Sequence, residues 1–220
     1  MYAVFSFGVH MKHKSTSQLA AYGFLGFALS MFSFLLLDER LYLVTRAKTE
    51  DSLEIWLAIT DLGNSGWMAI VLIGLWVVAA VLDRIKPGNP RWKLLGRQSV
   101  YIFAAVALSG IFTLFIKGIV GRARPYLFDT EGPFGFNALS YESIYASWPS
   151  GHTTTAFAFV VAIIILAPRL KYVLLPFAIL AGYSRMVVEA HYLADVIMGA
   201  TVGTIGAILV YQWLAPKLKI

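Results

Sequence analysis

Four polar residues interrupt an apolar part of the sequence, namely Ser184, Arg185, His191 and Asp195. His191 and Asp195 are four residues apart, so in a helix the carboxylate would lie one turn from the imidazole on the same face. A carboxylate bound to one ring nitrogen fixes the tautomer and leaves the other nitrogen for a substrate. The pair therefore predicts a histidine nucleophile or general base. A second interpretation is a polar cluster that joins two membrane helices.

A second motif contains cations. Lys117 and Arg124 are seven residues apart, which is two helical turns or about 10 Å, so both side chains can face one cavity and bind an anion. Pro125 disfavours helix at Arg124 and predicts that the helix ends there. Arg122 lies off this face and is expected to reach towards lipid headgroups. The alternative for all three cations is ordinary snorkelling to the membrane surface.

The third motif is Pro149-Ser150-Gly151-His152, directly before an apolar run. A helix that begins here offers free backbone N–H groups and a positive dipole end to phosphate oxygens. Gly151 permits a close approach of the backbone, Ser150 supplies a hydroxyl donor, and His152 could protonate a leaving oxygen. Taken alone, the tetrapeptide favours a simpler interpretation, a helix cap followed by an exposed histidine.

Together the motifs combine cations, a helix start and two histidines, one of them next to an acid. This set of groups is typical of phosphoryl transfer through a phosphohistidine, with one histidine attacking and the other protonating the leaving group. Fixed cations can replace a divalent metal in neutralising the phosphoryl oxygens. Asp195 is the one acid among the motif residues, so we predict neither a metal site nor a cofactor.

The composition places these motifs in a membrane. Of the 220 residues, 59% are hydrophobic and 14% are charged, which is not the balance of a soluble protein. The chain has no cysteine, which excludes disulfides and a thiolate site. The net charge of +6 is explained by basic loops beside apolar runs and does not require a nucleic acid partner.

The apolar runs predict six transmembrane helices, because each is close to the ~20 residues that cross a bilayer. The first is expected to be retained rather than cleaved, since charged residues follow it instead of a small-residue cleavage site. The segment 38–65 is expected to contain a short interfacial helix with Leu53, Trp56, Leu57 and Thr60 on one face, and 83–98 is expected to be a basic loop. The predicted spans are Gln18–Leu37, Gly66–Leu82, Ser99–Ile116, Pro149–Ala167, Tyr172–Val188 and Tyr192–Leu214.

The distribution of basic residues predicts the orientation. With both termini in the cytoplasm, the inner segments contain one acid, Asp83, and the following bases: Lys12, Lys14, Arg84, Lys86, Arg91, Lys93, Arg97, Arg169, Lys171, Lys217 and Lys219. This asymmetry fits the positive-inside rule. All three motifs then fall at the outer ends of spans three to six. The fold class that we predict is an all-α integral membrane bundle of six helices, forming one domain over residues 1–220, with an extracytoplasmic active site within 117–195.

The three blocks Lys117-x6-Arg124-Pro125, Pro149-Ser150-Gly151-His152 and Ser184-Arg185-x5-His191-x3-Asp195 resemble the signature of the type 2 phosphatidic-acid phosphatase superfamily. The resemblance implies a six-helix membrane fold and metal-independent dephosphorylation. It further implies that His191 is the nucleophile, Asp195 its orienting partner and His152 the general acid. The residues it assigns to the phosphoryl group are Lys117, Arg124, Ser150, Gly151 and Arg185, with Ser184 either in contact or only supporting the site.

The expected substrate is amphiphilic, because a site at the outer end of a bundle can receive a headgroup while the tails stay in the bilayer. The resemblance suggests phosphatidylglycerophosphate, undecaprenyl pyrophosphate, phosphatidic acid or a lipid A phosphate. The alternatives are a lipid phosphotransferase with the same site and a transporter or sensor that binds phospholipid without turnover. Short loops suggest a bacterial inner membrane with the site facing the periplasm. The aromatic residues of 126–148 form either a rim over the headgroup or a simple interfacial belt.

Overall fold

The computed structural model describes residues 14–46 and 52–220. Lys12 of the predicted inner segment and positions 47–51 of the predicted outer segment lie outside these ranges. Within them the chain is helical without strands, and one isolated β-bridge joins Arg122 and Phe136. The α-helices, in chain order, are α1 Thr16–Leu36, α2 Asp38–Arg46, α3 Leu53–Thr60, α4 Ser65–Ile85, α5 Pro90–Val120, α6 Phe128–Glu131, α7 Gly151–Leu166, α8 Lys171–Val187 and α9 Leu193–Leu218.

Five helical segments of the described chain are long and apolar enough to cross a membrane. They are α1, α4, α5, α9 and Pro168–Val187, which is α8 with the 3₁₀ turn before it. The all-helical membrane fold predicted from the sequence is thus confirmed for five of the six spans. Helix α7 is apolar but has 16 residues, about 24 Å against a hydrocarbon core of about 30 Å.

Capping residues determine where the long helices begin. Ser15 and Gln18 cap α1 reciprocally through side chain and backbone, and Asn64 accepts from the N–H of Gly66 at the start of α4. At α5, Asn89 accepts from Arg91 and Pro90 occupies the first turn, where its missing N–H is not needed. The prediction that 83–98 is a loop is therefore wrong from Pro90 onward, and it is also wrong at 83–85, where α4 continues to Ile85.

Helix α5 ends before the second cation of its motif. Gly121 follows Val120 with φ of 62°, and a Cβ there would meet the carbonyl oxygen of Asn137, so the left-handed cap needs glycine. Lys117 is in the last helical turn, whereas Arg124 is extended. The prediction of a helix that continues to Arg124 is wrong, although Pro125 does follow a non-helical residue as expected.

Helix α9 lies at the centre of the bundle and packs on α7, α5 and α1. Its side chains Ala207 and Ile208 share a buried cluster with Tyr101 of α5 and Ile165 of α7. At Gly199, a Cβ would come within 2.6 Å of the carbonyl oxygen of Ser150. This glycine therefore lets the beginnings of α7 and α9 approach closely.

The outer helices present large apolar side chains away from the core. Phe24 on α1, Ile70 on α4 and Leu114 on α5 are mostly exposed, as expected of surfaces that contact lipid. The predicted short helix over Leu53–Thr60 is confirmed as α3. It packs on α8 through the edge-to-face contact of Trp56 with Tyr183, at 5.3 Å between centroids.

Candidate active site

The end of α5, the beginning of α7, the end of α8 and the beginning of α9 meet at one end of the bundle. Lys117 interacts electrostatically with Arg124, Arg185 and Asp195, and His152 interacts with the cations Lys117, Arg124 and Arg185. The three motifs predicted from the sequence to converge do so in one place.

His191 and Asp195 are adjacent, but not because they share a helix. His191 precedes α9, and Asp195 lies in the first turn of that helix. The N–H of Tyr192 donates to Oδ2 of Asp195 over 2.8 Å, and the same oxygen lies 3.5 Å from Nδ1 of His191. The helical reason given for this pair is therefore wrong, and the capped start of α9 brings the two side chains together instead.

Burial dominates the environment of His191, which is 3% exposed. Burial lowers the pKa of His191 well below its usual value, Lys117 and Arg124 lower it further, and Asp195 opposes them. The imidazole is therefore neutral at neutral pH, and its lone pair is available for attack.

Ser147 also contacts the pair and was not singled out from the sequence. Its hydroxyl donates to Oδ2 of Asp195 over 2.6 Å and lies 3.5 Å from Nδ1 of His191. Nothing in its local sequence distinguishes Ser147 from an ordinary loop serine, because its role depends on the fold of the loop that ends at Pro149.

Arg122 is buried in the site rather than extended to the headgroups. Its guanidinium is 1% exposed, and it binds Oδ1 of Asp195 at 2.6 Å and Oδ2 of Asp38 at 2.8 Å. Burial disfavours its charge, but the two carboxylates together raise the pKa of Arg122. The prediction that Arg122 snorkels is therefore wrong, and Asp38, an acid directly after the first apolar run, is a site residue that the sequence did not reveal.

Lys117 is held by the loop before α7. Its ammonium group donates to the carbonyl oxygens of Ala146 and Ser147, the latter over 3.2 Å. Its side chain passes beside Gly151. The lysine therefore reaches the beginning of α7, where an anion would be expected to bind.

The two motif arginines differ in their partners. Nη1 of Arg185 donates to the hydroxyl of Thr60 over 2.6 Å, so α3 orients this cation from outside the motifs. Arg124 is half-buried, and its Nε has no hydrogen-bond partner among the described residues. Nε of Arg185 likewise has no partner among the described residues, so both arginines keep donor capacity for a ligand.

Helix α7 begins where the sequence predicted a helix start, and its N-cap is Ser150. Its Oγ accepts from the backbone N–H of Thr153 at 3.5 Å and from the Thr153 hydroxyl at 2.9 Å. Both contacts use Ser150 as an acceptor, so its own hydrogen remains for another oxygen. The N–H groups of Gly151 and His152 lie in the first turn, where a helix leaves them unpaired.

His152 lies against the segment between α3 and α4. A Cβ at Gly63 would come within 2.8 Å of the carbonyl oxygen of His152, and the hydroxyl of Thr155 donates to the Gly63 carbonyl over 2.6 Å. The turn Asp61–Gly63 is therefore fixed onto the beginning of α7, which makes the 38–65 segment part of the site.

Ser184 has a partner within its own helix. It is fully buried, and its hydroxyl donates to the carbonyl oxygen of Ala181 over 2.7 Å. This bond uses the one hydrogen that the hydroxyl could offer to a phosphoryl oxygen. The geometry favours a supporting role for Ser184 over direct contact.

An apolar groove opens beside His152 between α4 and α5. Its volume is about 480 Å³, and its walls include Leu72, Phe103, Val106 and Leu114. The polar end contains His152 and Thr155. The groove thus joins the site to the surface formed by the outer helices.

The aromatic residues of 126–148 are divided between exposure and packing. Trp148 donates to the Ser30 hydroxyl over 3.0 Å and packs on Phe27. The exposed members are Tyr126, Phe134, Phe136 and Tyr141. Both interpretations of this segment remain compatible with the structure.

The arrangement is suited to holding a tetrahedral anion. It combines three motif cations, free N–H groups at a helix start and a neutral buried imidazole paired with a carboxylate. Among the residues that the structure describes, no group of three or more His, Cys, Asp or Glu side chains is placed to hold a metal ion. The groups present can neutralise charge, attack and transfer protons.

Comparisons with known proteins point to one family. A sequence model described as the PAP2 superfamily matches residues 98–219. Two relatives named lipid A 1-phosphatase, from Rhizobium etli and Rhizobium johnstonii, are 34% and 35% identical over 148 residues, which is 66% of this chain. The matched part covers 64% and 61% of those relatives, so the chain spans less than two thirds of their length.

Two further matches differ in kind. A protein of Bacillus licheniformis named bacitracin transport permease protein BcrC is 29% identical over 118 residues, 52% of this chain and 58% of that protein. The crystal structure of a transmembrane PAP2-type phosphatidylglycerolphosphate phosphatase from Bacillus subtilis matches with a TM-score of 0.51 and 20% identity. It covers 96% of this chain and 94% of that one. The structural match shows a shared fold.

Proposed function

The chain belongs to the PAP2 superfamily, and from this premise we propose that it is a membrane lipid phosphatase acting through a phosphohistidine. The resemblance noted in the three motifs is confirmed by the family match over residues 98–219. The observation that carries the proposal is the position of His191, with Asp195 3.5 Å from Nδ1 and with Lys117 and Arg124 within electrostatic range.

In the proposed reaction, Nε2 of His191 attacks the phosphorus while Nδ1–H is held by Asp195. The bond between phosphorus and the lipid oxygen breaks, and His152 gives its proton to that oxygen. A water molecule, deprotonated by His152, then attacks the phosphohistidine and releases inorganic phosphate. Donor groups stabilise the charge on the phosphoryl oxygens throughout, and those assigned to this role are Lys117, Arg124, Arg185, the Ser150 hydroxyl and the N–H groups of Gly151 and His152.

The first substrate class to test is the 1-phosphate of lipid A, because two relatives carry the name lipid A 1-phosphatase. The other candidates are phosphatidylglycerophosphate, undecaprenyl pyrophosphate and phosphatidic acid. The groove beside His152 supports an amphiphilic substrate, since its apolar walls can receive a chain while the headgroup lies at the cations. The site would act on a phosphomonoester or pyrophosphate without a metal ion.

The proposed topology has six spans, namely the five long helical segments and α7, which is the fourth in chain order. Both termini lie in the cytoplasm, and the site faces the periplasm of a bacterial inner membrane. The positive-inside distribution supports it. The chain contains no cysteine, so single cysteines can be labelled cleanly. In spheroplasts, a membrane-impermeant maleimide should label Thr130→Cys and leave Arg169→Cys unlabelled until lysis; the reverse pattern contradicts the orientation.

A second candidate function is transport or binding of a phosphorylated lipid without turnover. The name bacitracin transport permease of one relative favours it. Phosphate release separates these functions: the phosphatase releases inorganic phosphate from one purified lipid, a transporter releases none, and a phosphotransferase requires a second lipid as acceptor.

The decisive variant is His191→Ala. We expect purified wild-type protein to release phosphate from at least one lipid of the panel and His191→Ala to release none. Size-exclusion chromatography in detergent should show that the variant is inserted and folded. An alanine variant with wild-type turnover removes His191 from the nucleophilic role.

A further inference from the structure

The proposed reaction gives no role to Asp38 and Arg122, which form a buried cluster with Asp195. Arg122 joins the two carboxylates, with Nη1 at 2.6 Å from Oδ1 of Asp195 and Nη2 at 2.8 Å from Oδ2 of Asp38. All three side chains are at most 1% exposed. Removing such ions from water costs free energy, so we asked which role in the site the cluster has.

Asp38 is anchored on α9 as well as on Arg122. Its Oδ1 accepts from the Ser33 hydroxyl at 2.8 Å and from the N–H of Ala194 at 3.0 Å. Ala194 directly precedes Asp195. The carboxylate of Asp38 therefore fixes the guanidinium relative to the same helical turn that contains the partner of His191.

The guanidinium is also confined from both faces. Its carbon lies 4.7 Å from the centroid of the Phe34 ring and 4.3 Å from that of the Tyr192 ring. Nη2 donates in addition to the carbonyl oxygen of Pro133 over 3.2 Å. Because rings and hydrogen bonds restrict it together, Arg122 presents Nη1 to Asp195 in a single orientation.

The contacts of Asp195 divide between its two oxygens. Oδ1 accepts from Arg122, whereas Oδ2 accepts from Ser147 and Tyr192 and faces Nδ1 of His191. Without Arg122 the Asp195 carboxylate could rotate, and Oδ2 could then move away from Nδ1 of His191. The bond to Oδ1 thus selects which oxygen meets the histidine.

We propose that Arg122, held by Asp38, is a positioning residue that fixes Asp195 and adjusts the charge that His191 experiences. This inference rests on the proposed function for its kinetic consequences. The cluster contains two carboxylates and one guanidinium, so its net charge is −1. That single negative charge stabilises the positive ring that forms when His191 attacks.

The net charge of the cluster predicts whether each substitution raises or lowers the pKa of His191. Arg122→Gln leaves two carboxylates and raises the pKa of His191. Asp38→Asn leaves the guanidinium opposed to Asp195 alone and lowers that pKa. The double variant returns the net charge to −1 through Asp195. The other charged groups facing His191 are Lys117 and Arg124, which all variants retain.

The first measurement is a double-mutant cycle on phosphate release. We expect kcat to fall about 100-fold in Arg122→Gln and about tenfold in Asp38→Asn, with KM little changed. The double variant should be more active than Arg122→Gln alone, because one carboxylate is no longer left unpaired. Arg122→Lys, which offers one donor group instead of a fork, should recover part of the loss.

The matched control is the exposed pair of Arg46 and Asp129. Arg46 binds both carboxylate oxygens of Asp129, each over 2.9 Å, and the pair lies at the surface. Arg46→Gln, Asp129→Asn and their double variant should keep wild-type kcat and show no coupling. This comparison separates the effect of the buried cluster from that of losing any arginine–aspartate pair.

The second measurement does not need turnover. In protein labelled with ¹⁵N-histidine, the His191 ring shifts, assigned by His191→Gln, report tautomer and pKa directly. We expect the pKa to rise in Arg122→Gln, fall in Asp38→Asn and return towards wild type in the double variant. If the pKa of His191 is equal in all four proteins, the positioning role is wrong. It is also wrong if kcat of the double variant falls by the product of the factors measured for the two single variants. A wild-type protein that releases no phosphate while the ring shifts follow this order overturns the proposed function instead.

Discussion

Ser147 donates a hydrogen bond of 2.6 Å to Oδ2 of Asp195. The same oxygen lies 3.5 Å from Nδ1 of His191, so the serine and the imidazole meet on one side of the carboxylate. The carbonyl oxygen of Ser147 also accepts a hydrogen bond from the ammonium group of Lys117. A single loop residue therefore connects the proposed nucleophile to a proposed phosphate-binding cation.

Ser147→Ala is expected to reduce kcat about tenfold. The change removes one of two donors to Oδ2 and loosens the orientation of Asp195, and a hydrogen bond to a charged group contributes roughly 1.5–3 kcal/mol. Steady-state phosphate release from the preferred lipid measures the effect. Ser143→Ala, an exposed serine of the same loop, is the control and should match wild type. Equal activity of the two alanine variants would show that the Ser147 contact has no part in the reaction.

Thr60→Val should weaken the use of lipid phosphate with little change in stability. Valine keeps the branched shape but removes the hydroxyl that accepts from Arg185 over 2.6 Å. We expect kcat/KM to fall about tenfold, or ~1.4 kcal/mol. Thr130→Val, at an exposed threonine outside the site, provides the comparison. An unchanged kcat/KM in Thr60→Val would mean that α3 does not orient Arg185 during turnover.

The pH profile tests the state of His191. Burial lowers the pKa of this histidine, and only the neutral ring can attack. Activity that depends on the neutral form is retained above the pKa and lost as the pH falls through it. A lowered pKa therefore places the acid limb of kcat/KM below about 6.5, the usual value for histidine. A limb at or above that value, shifted by Arg122→Gln, would contradict the buried neutral imidazole.

Metal removal and vanadate probe the anion site. The cations and N–H groups supply the charge neutralisation for which many phosphatases use a metal. We predict that activity persists in excess chelator and that orthovanadate, which resembles phosphate in charge and shape, inhibits competitively. Arg124→Gln should weaken vanadate inhibition, because the half-buried Arg124 retains free donor capacity. Activity that disappears with chelator and returns with added metal would refute the metal-independent mechanism.

The sequence predicted the motif residues and their convergence because local chemistry defines them. His191 and Asp195 were paired for a helical reason, although a capped helix start unites them in the structure. The start of α5 could have been predicted, since Asn89-Pro90 is a visible cap and first-turn signal.

Other parts of the site were out of reach of sequence analysis. Asp38 and Arg122 are separated by 84 residues, and no periodicity relates positions so far apart. Ser147 and Thr60 act through loop conformations that depend on tertiary packing. Their types, a serine and a threonine near apolar segments, carry no specific signal. Arg122 was assigned to the membrane surface because its spacing from Lys117 placed it on another helical face, whereas the helix ends before it at Gly121.

The most direct test of the mechanism is capture of the covalent intermediate. Protein mixed with a ³²P-labelled lipid phosphate is quenched in alkali, where phosphohistidine survives, then digested and analysed by mass spectrometry. In the wild-type protein, the account predicts ³²P label on the peptide that contains His191. In His152→Ala, given a substrate whose leaving group needs no proton, the labelled peptide should accumulate. In His191→Gln, no label should appear. Label on another residue, or single-turnover phosphate release with no protein-bound label, would contradict it.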